Sequence, residues 1–103
     1  MRMSSHSPDA VDCGTPDGDT LALSGALTFA SAARAYEQAS VALERGTQTR
    51  LDLAGLTRTD SAGLACVLAL LARASRCGRP LRAANAPESL RALAEVCDLR
   101  EFL

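Results

Sequence analysis

Leu51-Asp52-Leu53-Ala54-Gly55-Leu56-Thr57-Arg58-Thr59-Asp60-Ser61-Ala62-Gly63-Leu64 changes character along its length, and that change decides the fold. Leu51 and Leu53 are two apart, the period of a half-buried strand. From Leu64 the apolar residues Leu64, Val67, Leu68 and Leu71, with Ser75, recur at helical spacing. A strand is therefore predicted over 48–53, a loop over 54–60, and a helix over 61–76. Cys77-Gly78 closes that helix ahead of Pro80. The turn from Asp60 to Leu64 is the candidate working site, because a carboxylate and a hydroxyl stand at a helix start. Either can cap it by accepting from amide donors that have no partner within the helix.

Upstream, residues 10–15 read as a first strand, and Pro16-Asp17-Gly18 as a turn with proline at its second position. Residues 19–24 alternate, with Leu21 and Leu23 on one face, so the two strands form a hairpin. Gly25 is expected to end the second strand and Thr28 to cap a helix. Phe29, Ala32/Ala33, Tyr36, Ala39/Ser40 and Leu43 form its apolar stripe, which Gly46 stops. A strand following that helix implies a right-handed crossover and parallel pairing. Downstream, residues 81–84 read as a short strand. Pro87 then opens a third helix at its first position, with Glu88 in the first turn and Leu90, Leu93, Ala94 and Cys97 inward. Residues 99–103 are expected to add a little edge strand. The order ββαβαβα predicts an α/β domain over 10–103, a mixed sheet carrying helices. Residues 1–9, polar and serine-rich, read as a disordered tail.

A chain of 103 residues suits a single core. Aromatics are 3% of the sequence (Phe29, Tyr36 and Phe102), so Leu, Val and Ala must build the interior and no stacking platform exists for bases or sugars. Net charge is −1, with all eleven basic residues arginine and spread along the chain. That pattern carries no nucleic-acid or anionic-membrane footprint. The longest nearly apolar run, 64–72, is too short to span a bilayer, and residues 1–10 lack a signal peptide's apolar segment. A soluble cytosolic protein is expected.

Catalytic arrangements are not apparent. The one histidine, His6, lies in the tail, so neither serine nor cysteine has a plausible base. The seven glycines are isolated and form no phosphate cradle. Cys13, Cys66, Cys77 and Cys97 lack the short paired spacing of a zinc site. Cys66 and Cys77 cannot meet on one helix, and free buried or half-buried thiols in a reducing compartment are expected. No metal, cofactor or enzymatic role is therefore assigned.

The second helix offers a different kind of site. Ala62, Ala65, Ala69, Ala72, Arg73 and Arg76 share a strip opposite the Leu64/Leu68/Leu71 stripe. Small residues let a partner's backbone approach, and arginine favours interfaces. The plainer alternative is that alanine is simply the best helix former. A phosphate on Ser61 would meet a favourable helix N-terminus but repulsion from Asp52 and Asp60.

The stretch from Leu51 to Leu64 resembles the signature of STAS domains, the fold shared by anti-sigma-factor antagonists and sulfate-transporter tails. Gly18-Asp19-Thr20-Leu21-Ala22-Leu23-Ser24-Gly25 resembles the second strand of one STAS subgroup, MlaB. That subgroup supplies the small STAS subunit of the Gram-negative phospholipid-transport ABC system that maintains outer-membrane lipid asymmetry. The resemblance implies a mixed sheet with helices packed mainly on one side. It also implies a non-catalytic subunit that binds the cytosolic ATPase, MlaF, at the inner face of the inner membrane. The partner-facing region it implies is the loop before the second helix plus that helix: Thr59, Asp60, Ser61, Ala62, Ala65, Ala69, Arg73 and Arg76. Ser61 falls where sporulation-type antagonists carry a phosphorylatable serine, so an anti-sigma factor antagonist switched at Ser61 is the alternative. The chain is expected to end near the last strand, without the extra C-terminal helix of the longer antagonists, a departure that lowers the sigma-factor reading and suits the transporter one.

Overall fold

The computed structural model describes residues 11–103. The tail over 1–9, His6 and the first residue of the expected opening strand lie outside the described residues. The elements are β1 (Val11–Asp17), β2 (Thr20–Leu27), α1 (Ala32–Arg45), β3 (Arg50–Thr59), α2 (Ser61–Arg76), β4 (Arg82–Ala84) and α3 (Glu88–Val96), followed by a 3-10 turn at Arg100–Phe102. The sheet runs β1-β2-β3-β4, antiparallel between β1 and β2 and parallel thereafter. Because the strands add in chain order, two right-handed crossovers place α1 and α2 on the same face of the sheet. This is the expected mixed α/β architecture.

Leu21, Leu23 and Leu27 of β2, Leu51 and Leu53 of β3, Val67 and Leu70 of α2, and Leu90 of α3 are fully buried. Each buried leucine contributes roughly 1.5–3 kcal/mol of apolar transfer. The interior contains no fully buried aromatic, and alanines at positions 35, 39 and 94 let the helices approach.

The strands depart from the sequence expectation mainly in length. Pro16 and Asp17 belong to β1, and the hairpin turns instead at Gly18-Asp19, with Asp17 facing Thr20. Asp17 Oδ1 accepts from the Asp19 N–H at 2.9 Å, a local bond that sets this turn. Gly25 does not end β2. At φ 89° it sits at a register irregularity, and the strand continues to Leu27.

The expected loop over 54–60 is strand nearly throughout. Ser24 pairs with Gly55, Gly25 with Leu56, Ala26 with Arg58 and Leu27 with Thr59. A Cβ at Gly55 would lie 2.7 Å from that of Ser24, so glycine permits this crossing. Pairing with β2 supplies the partners that local propensity did not reveal.

The helix stripes also shift. α1 begins at Ala32 after Ser31, not at a Thr28 cap, and no side chain caps it. The Thr28 carbonyl accepts from the N–H groups of Ser31 and Ala32. Ser31 Oγ donates to the Ala26 carbonyl at 2.7 Å and accepts from the Thr28 N–H at 3.1 Å. Phe29 thus precedes the helix and is 85% exposed, rather than lying on its apolar stripe. Gly46 ends α1 as expected, and the Arg79 guanidinium donates to the Leu43 and Gly46 carbonyls there.

On α2 the core residues are Gly63, Leu64, Cys66, Val67, Leu70 and Ala74. Leu68 and Leu71 are only half-buried and Ser75 is exposed, so the expected stripe is rotated by roughly a quarter turn. On α3, Pro87 is the N-cap rather than the first helical residue, and Cys97 is exposed. The C-terminal residues form a 3-10 turn, not an edge strand. Cys77 is exposed as well, against the expectation of buried or half-buried thiols; Cys66 is buried, Cys13 half-buried, and all four are free.

Candidate protein-docking site

β3 delivers Asp60 to the start of α2 in extended conformation, with φ −131° and ψ −169°. That geometry turns its carboxylate back over the first turn, where Oδ1 accepts from the Gly63 N–H at 3.0 Å. Oδ2 accepts from the Phe29 N–H at 3.0 Å, across 31 residues of sequence. One side chain therefore caps α2 and fastens the β2–α1 turn to it. The Phe29 amide, and after it that of Gly63, holds the Asp60 carboxyl below its ordinary value. Gly63 completes the joint. A Cβ there would stand 2.1 Å from the Leu27 carbonyl oxygen, so the α2 N-terminus rests directly on the end of β2.

Ser61, the first residue of α2, is exposed. Its relation to Asp52 differs from the sequence reading. With β3 extended, Asp52 lies roughly 30 Å from Ser61 at the rise of a strand, well beyond the Debye length of about 8 Å in physiological salt. Of these two aspartates, Asp60 is the one near enough to repel a charge on Ser61. The Asp52 carboxylate instead accepts from the Ala54 N–H at 3.0 Å and from Asn85 Nδ2 at 3.1 Å. Those two bonds hold its carboxyl below the usual range. Both aspartates are thus anions occupied by amide donors, a poor setting for general acid–base work.

The strip itself is open in its upper part. Ala65 and Ala69 are exposed and Ala62 is half-buried. These three, with Ala32, Ala33 and Tyr36 of α1, border a shallow, largely apolar groove between the helices. Arg73 is less available than the sequence suggested. Its guanidinium donates to Glu44 Oε2 at 2.8 Å and so ties α2 to α1. The Tyr36 hydroxyl, and to a lesser degree Glu44, favour the Arg73 cation. Arg76 is exposed. Thr59 is half-buried, and its Oγ1 is closed off without a hydrogen-bond partner among the described residues.

The structure thus gathers Asp60, Ser61, Ala62, Ala65 and Ala69 on one continuous surface, ties Arg73 to α1 and turns the Thr59 hydroxyl inward. It adds Phe29, which sequence reading had assigned to the core. Spacing alone could not separate it from the stripe, because it stands three residues before Ala32. Among the described residues, no group of three His, Cys, Asp or Glu side chains could hold a metal ion, and no helix is long and apolar enough to cross a membrane.

Solved structures that share this fold include two of SpoIIAA. The anti-sigma factor antagonist SpoIIAA in its unphosphorylated form superposes with a TM-score of 0.70 at 18% identity, covering 90% of this chain and 84% of that one. The Bacillus cell fate determinant SpoIIAA in its phosphorylated form gives 0.65 at 18% identity, covering 90% and 87%. No curated protein matches the sequence. A family model described as "Mlab, STAS domain" matches residues 13–103, and the chain belongs to that STAS-domain family.

Proposed function

We propose that this protein is a non-catalytic docking subunit that binds the cytosolic ATPase of a phospholipid-transport ABC system and supports its assembly or activity. The observation that carries this reading is the open Ala62/Ala65/Ala69 face, on a chain matched by an Mlab family model. A smooth alanine face offers little affinity of its own but admits close packing of a partner's helix or backbone, with Asp60 holding the helix start rigid. Bound in this way, the protein sits peripherally at the inner face of the inner membrane. The test is co-purification with an MlaF-like ATPase. Ala69→Arg places a long cation on an exposed position, so the fold survives while binding weakens by at least roughly tenfold. Capture of the ATPase undiminished by Ala69→Arg, or no capture by the unaltered protein, would sink the reading.

The exposure of Ser61 at the α2 N-terminus favours one alternative, an anti-sigma factor antagonist switched by phosphorylation. A phosphate there would be accepted by the helix N-terminus and opposed by Asp60. Intact mass after incubation with an anti-sigma kinase decides it. A gain of one phosphate that Ser61→Ala abolishes supports the switch, and an unchanged mass removes it.

A further inference from the structure

Phe29 is the most exposed large apolar side chain among the described residues, and one of three aromatics in the chain. A single exposed phenylalanine is ordinary, but the backbone of this one is held from both sides. Thr28 to Ser31 form a turn in which the Ser31 N–H donates to the Thr28 carbonyl at 2.9 Å, so Phe29 and Ala30 make its tip. Beneath the tip, the Thr28 N–H donates to Ser31 Oγ, which donates in turn to the Ala26 carbonyl. Across from it, the Phe29 N–H is taken by Asp60 Oδ2, while Oδ1 of the same carboxylate caps α2. A ring that gains no shelter from the fold is therefore carried on an ordered backbone, at the head of the Ala62/Ala65/Ala69 face.

We infer that Phe29 is the anchor of the docking face, its ring filling an apolar pocket on the ATPase subunit and supplying most of the affinity that the alanines cannot. The inference rests on the docking reading above. Methyl groups bury little area each, whereas binding energy concentrates in a few aromatic or arginine side chains that become fully desolvated. The arginines of the strip are poorly placed for that part. Arg73 is committed to Glu44, and Arg76 stands about four turns down α2 from Ser61. A phenylalanine has two side-chain torsions to lose, and its backbone here is ordered before any partner arrives, so little of the binding energy is spent on ordering it. The partner is thereby required to present an uncharged cavity about one phenyl ring wide, next to the surface that receives the alanines. Val96 is 83% exposed as well, but it ends α3 and lies outside the groove between α1 and α2.

The experiment is surface plasmon resonance of the full chain against a purified MlaF-like ATPase, with thermal midpoints of each variant measured in parallel. Phe29→Ala is expected to raise the dissociation constant about tenfold or more, chiefly through faster dissociation. It should leave the thermal midpoint unchanged, because the ring is exposed and the bond to Asp60 is made by the backbone. Phe29→Leu, which keeps an apolar plug, should lose less than Phe29→Ala, and Val96→Ser should bind as the unaltered protein does. Unchanged binding by Phe29→Ala overturns the inference, and the docking reading then still stands if Ala69→Arg weakens capture. An equal loss in Val96→Ser also overturns it, since the contact is then unspecific apolar adhesion. So does a dimer of the chain that Phe29→Ala dissolves while ATPase binding holds. No binding by the unaltered protein removes the docking reading and this anchor together.

Discussion

The carboxylate of Asp60 reaches 31 residues back along the chain to accept the backbone N–H of Phe29 at 3.0 Å, while its other oxygen caps α2 through Gly63. The β2–α1 turn and the α2 N-terminus are thereby one joint. Phe29, 85% exposed, is held beside Ser61 rather than left on a loose loop.

That joint makes stability depend on pH in a determined direction. The Asp60 carboxyl is held below its ordinary value by the Phe29 and Gly63 amides, and Asp52 is lowered by Ala54 and Asn85. A group whose folded pKa is depressed stabilises the fold above its unfolded value, near 4, and loses that contribution as pH falls through the folded value. Urea unfolding from pH 7 downward should show stability falling below about pH 4, and Asp60→Asn should flatten the decline. Asp60→Ala, which removes the cap altogether, should cost about 1–2 kcal/mol at neutral pH.

Gly63→Ala should be among the most damaging single changes. The added Cβ would stand 2.1 Å from the Leu27 carbonyl oxygen, which is backbone and cannot rotate away. Forced separation of α2 from β2 should cost roughly 3 kcal/mol. The midpoint of urea unfolding measures it, and a change within about 0.5 kcal/mol would contradict the close approach.

Leu70 and Leu71 are adjacent in sequence and unequal in the fold. Leu70 is fully buried whereas Leu71 is half-buried. Leu70→Ala should cost about 3 kcal/mol by leaving a cavity under α2, and Leu71→Ala roughly 1 kcal/mol. Ser75→Ala should lie within about 0.5 kcal/mol of the unaltered protein. Equal losses at Leu70 and Leu71 would mean that α2 is rotated from the position described.

The four free thiols should separate by reactivity. Cys77 and Cys97 are exposed and should react promptly with a disulfide reagent in the native protein. Cys13, half-buried and with its thiol pushed up by desolvation, should be slower. Cys66 is buried and pushed up to about 11 by the same cause, so its modification should await unfolding. Site-resolved mass spectrometry over time reads the order directly.

Much of this was legible beforehand. The alternation at Leu21/Leu23 and Leu51/Leu53, the helical spacing from Leu64 and the breaks at Gly46 and Gly78 carried the element order, because each is a local signal. The start of α2 was legible too, since an aspartate before a helical run is a cap that depends only on its neighbours. What failed was whatever depends on a distant partner. Residues 54–59 read as loop because Ala54 and Gly55 are poor strand formers and Leu56 is the one large apolar residue among them, yet pairing with residues 24–27 makes them strand. The apolar stripe of α2 was misplaced because both of its flanks carry leucines, and only packing on the sheet and α1 decides which are covered.

The amino-acid sequence by itself therefore determined the kinds of element, their order, the STAS resemblance and the turn from Asp60 to Leu64 as the place to look. Period, capping and turn chemistry are properties of a few consecutive residues. Tertiary structure alone decided that Asp52 stands far from Ser61, that Arg73 is tied to Glu44, that Phe29 is outside and that Leu70 is inside. Those are relations between residues brought together across the chain, and they exist only once β2, β3 and the helices have packed.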